Sequence, residues 1–272
     1  MNVRHVLLTR FNVRHLEMAG RTRDETGVDP RWLDHRLPLF EDLCVRSVAA
    51  QTRTDFEWFV FVRPDTPEVH LDRIRELAAR AGGRVALSTG GDQPDAAAAI
   101  VSGDQRDVLL TTRLDCDDAI NRHFVEWLRE SPLEPGTINF TRGCQLYPSG
   151  RAATRRQRSG SFISYSEPWS QDPLTVWGFR HPAAPDVRQL PHDLAWMQVI
   201  HDRNLSTSSR GRRPVSRRRL LAAFDIAPGL VADTTASSLA WQATVNYRRE
   251  YVLEAKLRLH RFASARGWIA SK

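Results

Sequence analysis

Residues Val108–Ile120 read VLLTTRLDCDDAI. The apolar run Val108 to Thr112 reads as a buried strand. It passes into Arg113, and three carboxylates follow within four positions: Asp115, Asp117 and Asp118. In an open α/β sheet, ligands bind outside the carboxyl ends of the strands. Three carboxylates crowded there repel one another unless a cation offsets them. An Asp-x-Asp on an extended segment or tight turn can aim two carboxylates at one hard divalent ion. Mg²⁺ and Mn²⁺ prefer such oxygen ligands and share them with substrate phosphates. The competing reading makes these aspartates an N-cap for a helix starting near Ala119, with Asp118 satisfying its free N–H groups.

Working outward, the preceding sequence alternates strands and helices. Val3 to Thr9 and the aromatic run Phe56 to Val62 read as buried strands, Arg84 to Leu87 as a short third one. Helical spacing runs from Pro38 through Leu39, Phe40, Leu43, Cys44 and Val48, with Pro38 suited to a first turn. It recurs at Leu71, Ile74, Leu77 and Ala78, ended by Gly82-Gly83, and at Ile120, Phe124, Trp127 and Leu128. This order predicts an α/β fold, a parallel sheet with helices on both faces. Further on, Thr137 to Phe140 and Phe162 to Tyr165 read as strands separated by an arginine-rich turn region (Arg151, Arg155, Arg156, Arg158). His192 to His201 reads as a short helix, Ser206 to Arg219 as a basic loop and Ser238 to Ala265 as a long helix. Arg14 to Pro30 is polar and long enough for a mobile flap.

The composition narrows the function classes. With 272 residues, 41% hydrophobic and 26% charged, the chain is globular and one compact unit is expected. No apolar run approaches the ~20 residues of a membrane span. Arg4 and His5 interrupt the start where a signal peptide needs apolar residues. Cys44, Cys116 and Cys144 have no paired spacing, which fits a reducing cytoplasm. The net charge is +7, and of 39 basic residues only Lys256 and Lys272 are lysine. That excess favours anionic ligands: nucleotides, phosphates or an acidic lipid surface. It also admits a non-enzymatic binder of nucleic acid or anionic surfaces. Such a binder has no use for a carboxylate triplet beneath a sheet, so no nucleic-acid partner is expected.

Four blocks, HVLLTRFNV (5–13), SVAAQTRTDFEWFVFVRPDTP (47–67), TTRLDCDDAI (111–120) and HDLAWMQVIHDRN (192–204), resemble the putative rhamnosyltransferase family of bacteria. The resemblance spans residues 3 to 205. It implies a GT-A glycosyltransferase fold, a nucleotide-sugar-binding Rossmann-type sheet with a DxD motif. The domain would cover 1–205, with a donor half over 1–118 and an acceptor half over 119–205. A basic loop and helical C-terminal extension over 206–272 would pack on it, against the domain or a second subunit in a homodimer. The resemblance further implies Mg²⁺ or Mn²⁺, a dTDP-, UDP- or GDP-linked sugar donor, with rhamnose the sugar the family suggests, and a carbohydrate, lipid-linked or small-molecule acceptor. Transfer would be inverting and cytoplasmic, with peripheral contact at the inner membrane face.

Residue by residue, the loop after the first strand (Thr9, Arg10, Phe11, Asn12) would hold base and ribose, although Phe11 also suits the core. Asp65 would bind base or ribose, or serve only the Pro64-Asp65 turn. Arg113 would meet the diphosphate or hold an aspartate. Asp115 would face ribose or donor sugar and share in the metal, which Asp117 ligates directly. Asp193 is the candidate general base and His192 its rival; the two also suit a helix N-cap after Pro191. His201 is a candidate extra metal ligand, or merely a histidine favourable to a helix dipole. Trp169, Trp177 and Trp196 suit sugar stacking or the core.

Overall fold

The computed structural model describes residues 2–13, 26–89, 91–201 and 212–233. The core of the fold is a seven-stranded sheet that uses the apolar runs read above. Its strands β1 (Val3–Arg10), β2 (Glu57–Val62), β3 (Gly83–Leu87) and β4 (Val108–Arg113) pair in parallel in the order β3-β2-β1-β4. Helices α1 (Pro30–Leu39), α2 (Arg46–Ala49), α3 (Glu68–Ala79) and α4 (Asp92–Val101) fall between them. Then follow β5 (Ala119–Ile120), α5 (Phe124–Glu130), β6 (Gly136–Phe140), β7 (Arg142–Leu146), β8 (Ala152–Arg156) and β9 (Ile163–Pro168). The described chain closes with β10 (Arg188–Leu190), β11 (Trp196–Val199), β12 (Pro214–Val215) and α6 (Arg217–Ala223).

Strand β9 enters the large sheet antiparallel, between β4 and β6, and β10 completes the edge beside β6. The period-2 alternation of β1 distributes its side chains over two cores. Leu7 packs with Val60, Ile74 and Phe124 on one face; Val6 and Leu8 pack with Phe61, Ala96 and Ile100 on the other. Helices therefore cover both faces, as the alternation requires.

A second sheet, ordered β12-β8-β7-β11-β5, has its own apolar core of Leu43, Leu146, Met197, Leu220 and Phe224. Residues 212–233 take part in it: β12 pairs with β8, and α6 contributes Leu220.

Four local expectations are corrected. The first helix starts at Pro30, capped by the Asp29 side chain, not at Pro38. Proline is tolerated in the first turn, and it is Pro30 that takes that place. Pro38 lies inside the helix, which runs on through a π-helical turn at Phe40–Val45 into α2. Such turns relieve a disrupted hydrogen-bond ladder.

Ala119–Ile120 is a strand and α5 starts only after His123, so Asp118 caps no helix. The arginine-rich segment is not all turn: Arg155 and Arg156 lie on β8. His192 to His201 is not a helix. Leu194 takes a φ of 50°, and Trp196–Val199 runs as a strand between β7 and β5. A short apolar run buried on both faces has no periodicity to distinguish strand from helix.

Among the described residues no helix is long and apolar enough to cross a membrane. Residues 14–25 of the expected flap, 206–211 of the basic loop and the whole Ser238 to Ala265 helix lie outside the described residues.

Candidate active site

The carboxyl edge of β4 is where the described charges converge. After Arg113 the chain stays extended long enough to alternate: Leu114 and Cys116 are buried, Asp115 and Asp117 less so. A turn closed by Asp118 N–H donating to the Asp115 carbonyl (3.2 Å) then redirects the chain.

The three aspartates have three different environments. Asp115 accepts both arms of the Arg113 fork, from Nε at 3.2 Å and Nη2 at 3.0 Å. Asp117 Oδ2 contacts Arg36 Nη1 and lies 2.8 Å from His201 Nε2. Asp118 is buried, and its Oδ1 accepts the Val199 N–H at 2.9 Å, tying the turn to β11. Burial, reinforced by the charges of Asp117 and Asp115, pushes the Asp118 carboxyl well above the usual carboxylate range. Burial acts the same way on Asp117, but the His201 hydrogen bond and the Arg36 charge outweigh it and hold its pKa at about 2. Asp117 is thus kept ionised where a carboxylate alone would tend to protonate.

His201 lies two residues beyond the end of β11, so the strand that pairs with β5 also carries the imidazole to Asp117 across 84 positions of sequence. Arg36 comes from α1, its guanidinium stacked over the Trp32 ring at 4.8 Å. His35 adds an edge contact to the His201 ring at 5.8 Å. Neither Arg36 nor His35 was singled out in the sequence, because the helix was expected to begin only at Pro38. Asp29-Pro30, a capping residue before a first-turn proline, is the signal that would have included them.

The donor-loop residues have varied surroundings. Thr9 is fully buried and accepts the Trp58 indole N–H at 2.9 Å. Phe11 packs edge-on against Phe40 and Trp32. Asn12 joins two loops: its Nδ2 donates to the Gly27 carbonyl and Thr66 Oγ1, and its Oδ1 accepts from the Arg63 N–H. Arg10 is half-buried with its guanidinium 4.5 Å from the Trp177 ring centroid. Asp65 is exposed and takes the Arg63 fork at 2.8 and 2.5 Å, repeating after β2 the Arg-x-Asp geometry found after β4. Of the three tryptophans, Trp196 stacks on Phe162 in the core and Trp169 lies under Arg4. Trp177 alone reaches the Arg10 side of the edge.

The structure does not bring His192 and Asp193 to this cluster. They precede β11, whereas His201 follows it. Seven residues, Leu194 to Ile200, lie between them, and the four of β11 alone extend roughly 13 Å at strand rise. His192 stacks on Trp127 at 4.5 Å, and the half-exposed Asp193 pairs with Arg219. A different histidine lies at the edge. The segment after β9 crosses the sheet face, where Val176 N–H donates to Thr111 Oγ1 at 2.8 Å, and ends at His181. Ser159 Oγ donates to the His181 carbonyl, and its oxygen lies 3.4 Å from Nδ1. Burial and then the Arg113 charge lower the His181 pKa, with Asp115 opposing.

Beside His201 opens a cavity of about 330 Å³, walled by Leu39, Leu43, Leu146, Ile200 and Leu230 with Tyr147. Among the described residues, no three His, Cys, Asp or Glu side chains converge as a complete metal cage. The pair Asp117 and His201 nonetheless suits an ion that takes its other ligands from phosphate and water: one ionised oxygen and one imidazole nitrogen already meet.

A parallel β3-β2-β1-β4 sheet with an inserted antiparallel strand, carrying an Asp-x-Asp at the edge of β4, defines an α/β chain of the GT-A class. The chain belongs to the putative rhamnosyl transferase family, a glycosyltransferase family whose model matches residues 3–213. Solved structures with a similar fold include S. aureus TarS 1–349 in complex with UDP-GlcNAc, at 13% identity and a TM-score of 0.43, with 75% of this chain and 60% of that one covered. Another is the mannosyltransferase PcManGT from Pyrobaculum calidifontis with GDP-Man and Mn²⁺, at 13% identity and a TM-score of 0.38, covering 74% and 58%. This chain therefore spans about 60% of the length of the first of them. No curated protein matches the sequence.

Proposed function

We propose that the protein transfers a sugar, rhamnose by its family, from a nucleotide diphosphate donor to an acceptor hydroxyl with inversion. The observation that carries this reading is the meeting of Asp117 and His201 at the carboxyl edge of β4. Asp117 and His201 would hold Mg²⁺ or Mn²⁺, which supplies charge neutralisation for a departing diphosphate.

The remaining roles fall to the chain's own residues. Arg113 orients Asp115 toward the donor through its two-armed contact, and Arg10 adds positive charge for phosphate. Trp177 backs the Arg10 guanidinium. His181 is the candidate general base. Its lowered pKa leaves it neutral near pH 7, able to accept the acceptor's proton. The apolar cavity next to His201 suits an acceptor whose hydroxyl is attached to an apolar body.

The test is a panel of dTDP-, UDP- and GDP-linked sugars, dTDP-rhamnose included, incubated with lipid-linked and apolar-glycoside acceptors and Mn²⁺ or Mg²⁺. The anomeric configuration of the product is read by NMR. Transfer that persists undiminished after chelation removes the metal from the reading, and a product of retained configuration removes inversion.

A further inference from the structure

We infer that Arg36 is a resident counter-ion which occupies the Asp117 carboxylate in the donor-free protein and competes with the divalent ion for it. The inference rests on the reading of Asp117 and His201 as metal ligands. Three observations on Arg36 support it. Its Nη1 contacts the same oxygen, Asp117 Oδ2, that His201 Nε2 approaches at 2.8 Å. That Nη1 lies 3.4 Å from His201 Nε2 itself, so one guanidinium nitrogen faces both atoms of the pair. The side chain is 7% exposed, and its buried Nε has no hydrogen-bond partner.

A guanidinium cannot be deprotonated in this setting, so its charge is permanent. A divalent ion bound to Asp117 Oδ2 and His201 Nε2 would lie within a few ångströms of that charge, where repulsion between cations is strong in a water-poor site. Ion and guanidinium therefore exclude each other from this oxygen. Burial of Asp117 explains why a substitute is present at all: without a cation the carboxylate would be an unpaired buried charge.

When the ion arrives, the displaced guanidinium needs a new acceptor, and its Nε is already without one. A diphosphate offers several anionic oxygens to a planar fork. Metal and diphosphate then assist each other through Arg36: the ion frees the fork, and the diphosphate retains it away from Asp117. The consequence is weak binding of the metal alone and tighter binding with diphosphate.

The experiment measures Mn²⁺ affinity of the full chain by calorimetry, and by the Mn²⁺-induced shift in unfolding temperature. It is done with Mn²⁺ alone and with inorganic diphosphate, for wild type, Arg36→Met, Arg36→Gln and Asp117→Asn. Arg36→Gln retains a hydrogen bond to Asp117 without the charge and serves if Arg36→Met does not fold. Removal of the charge is expected to tighten Mn²⁺ alone by about 10-fold, inside the usual 5–150-fold range of coupling between sites. It should weaken diphosphate binding in the presence of Mn²⁺. Unchanged or weaker Mn²⁺ binding in both Arg36 variants, with binding still abolished by Asp117→Asn, overturns the role of Arg36 and leaves the metal reading standing. Absence of Mn²⁺ binding in wild type and both Arg36 variants overturns both.

Discussion

The two ends of β11 carry the same residue types with different surroundings. At its start, His192 and Asp193 are neighbours in sequence; Asp193 is half-exposed and paired with Arg219, and His192 lies against Trp127. At its end, His201 meets Asp117 from the turn between β4 and β5 and Arg36 from a helix, all three nearly excluded from water. The first pair is sequence-local and needs no tertiary structure to form. The second exists only because three distant segments fold together, and its buried charges are costly unless each has a partner. Charges assembled at such cost are better evidence of function than adjacent ones.

The largest expected effect lies at the His201 end. Asp117→Asn keeps the shape of the side chain but removes the charge that pairs with Arg36 and that, on the proposed reading, would hold the metal. Charge stabilisation by a metal is worth several kcal/mol, so kcat/KM is expected to fall ~10³-fold or more. Mn²⁺ should no longer raise the unfolding temperature. Wild-type turnover in this variant would break the contrast between the two ends at once.

A smaller loss is expected at His181, which sharpens the comparison by asking which histidine takes the proton. His181→Gln should lower kcat ~10²-fold while leaving donor affinity nearly unchanged, in line with loss of a general base. The pH profile adds a check with a definite sign. The base works when neutral and its pKa is lowered, so the acid limb of kcat/KM should fall below the usual histidine range and vanish in the variant. If His192→Gln is the inactive protein and His181→Gln is not, the base belongs to the other end of β11.

Burial without function provides a reference. His5 is fully buried in β1, its Nε2 2.8 Å from Thr112 Oγ1, and desolvation lowers its pKa to about 3. The unfolded chain takes up this proton near pH 6.5 and the folded chain does not, so stability is lost as pH falls from about 6.5 toward 3. Between pH 7 and pH 4 the loss attributable to His5 is about 3 kcal/mol. Chemical denaturation of wild type and His5→Asn across that range should show a shallower acid loss in the variant. Equal slopes would mean that His5 is protonated in the folded state.

The same contrast explains what the sequence could and could not reveal. Val3–Arg10, Glu57–Val62 and Val108–Arg113 were legible because each is a long apolar run beside an amphipathic helix, and period distinguishes the two. Asp117 was legible because a carboxylate cluster after such a strand is costly without purpose. The strands β7, β8 and β11 were not legible as a sheet. They have five, five and four residues; β7 and β8 pair locally, but β11 reaches back to Cys144 on β7 and to Ala119 and Ile120 on β5, and β12 to Ala152 and Ala153 on β8, so distant partners complete the sheet. His201 was singled out at the end of an expected helix; a strand stands there instead, and the approach of His201 to Asp117 depends on β11 pairing with β5. Arg36 was missed because Pro38 looked like a beginning and is an interior residue.

The smallest expected effect concerns the start of β11. Asp193 is 48% exposed and Arg219 54%, and exposed ion pairs contribute between nothing and about 1 kcal/mol. Asp193→Asn removes the charge but retains a polar group of the same size, and the length of β11, roughly 13 Å at strand rise, separates it from His201. Turnover within about twofold of wild type is expected, with a stability change below ~1 kcal/mol. Both values should move toward wild type with added salt, because screening acts on exposed pairs and scarcely on buried ones. Steady-state assays at low and high ionic strength check this. A loss of ~10²-fold in kcat, unaltered by salt and with donor affinity intact, would assign the proton transfer to Asp193. It would also show that the donor sugar extends along β11 away from the metal, so that one active site joins the two ends.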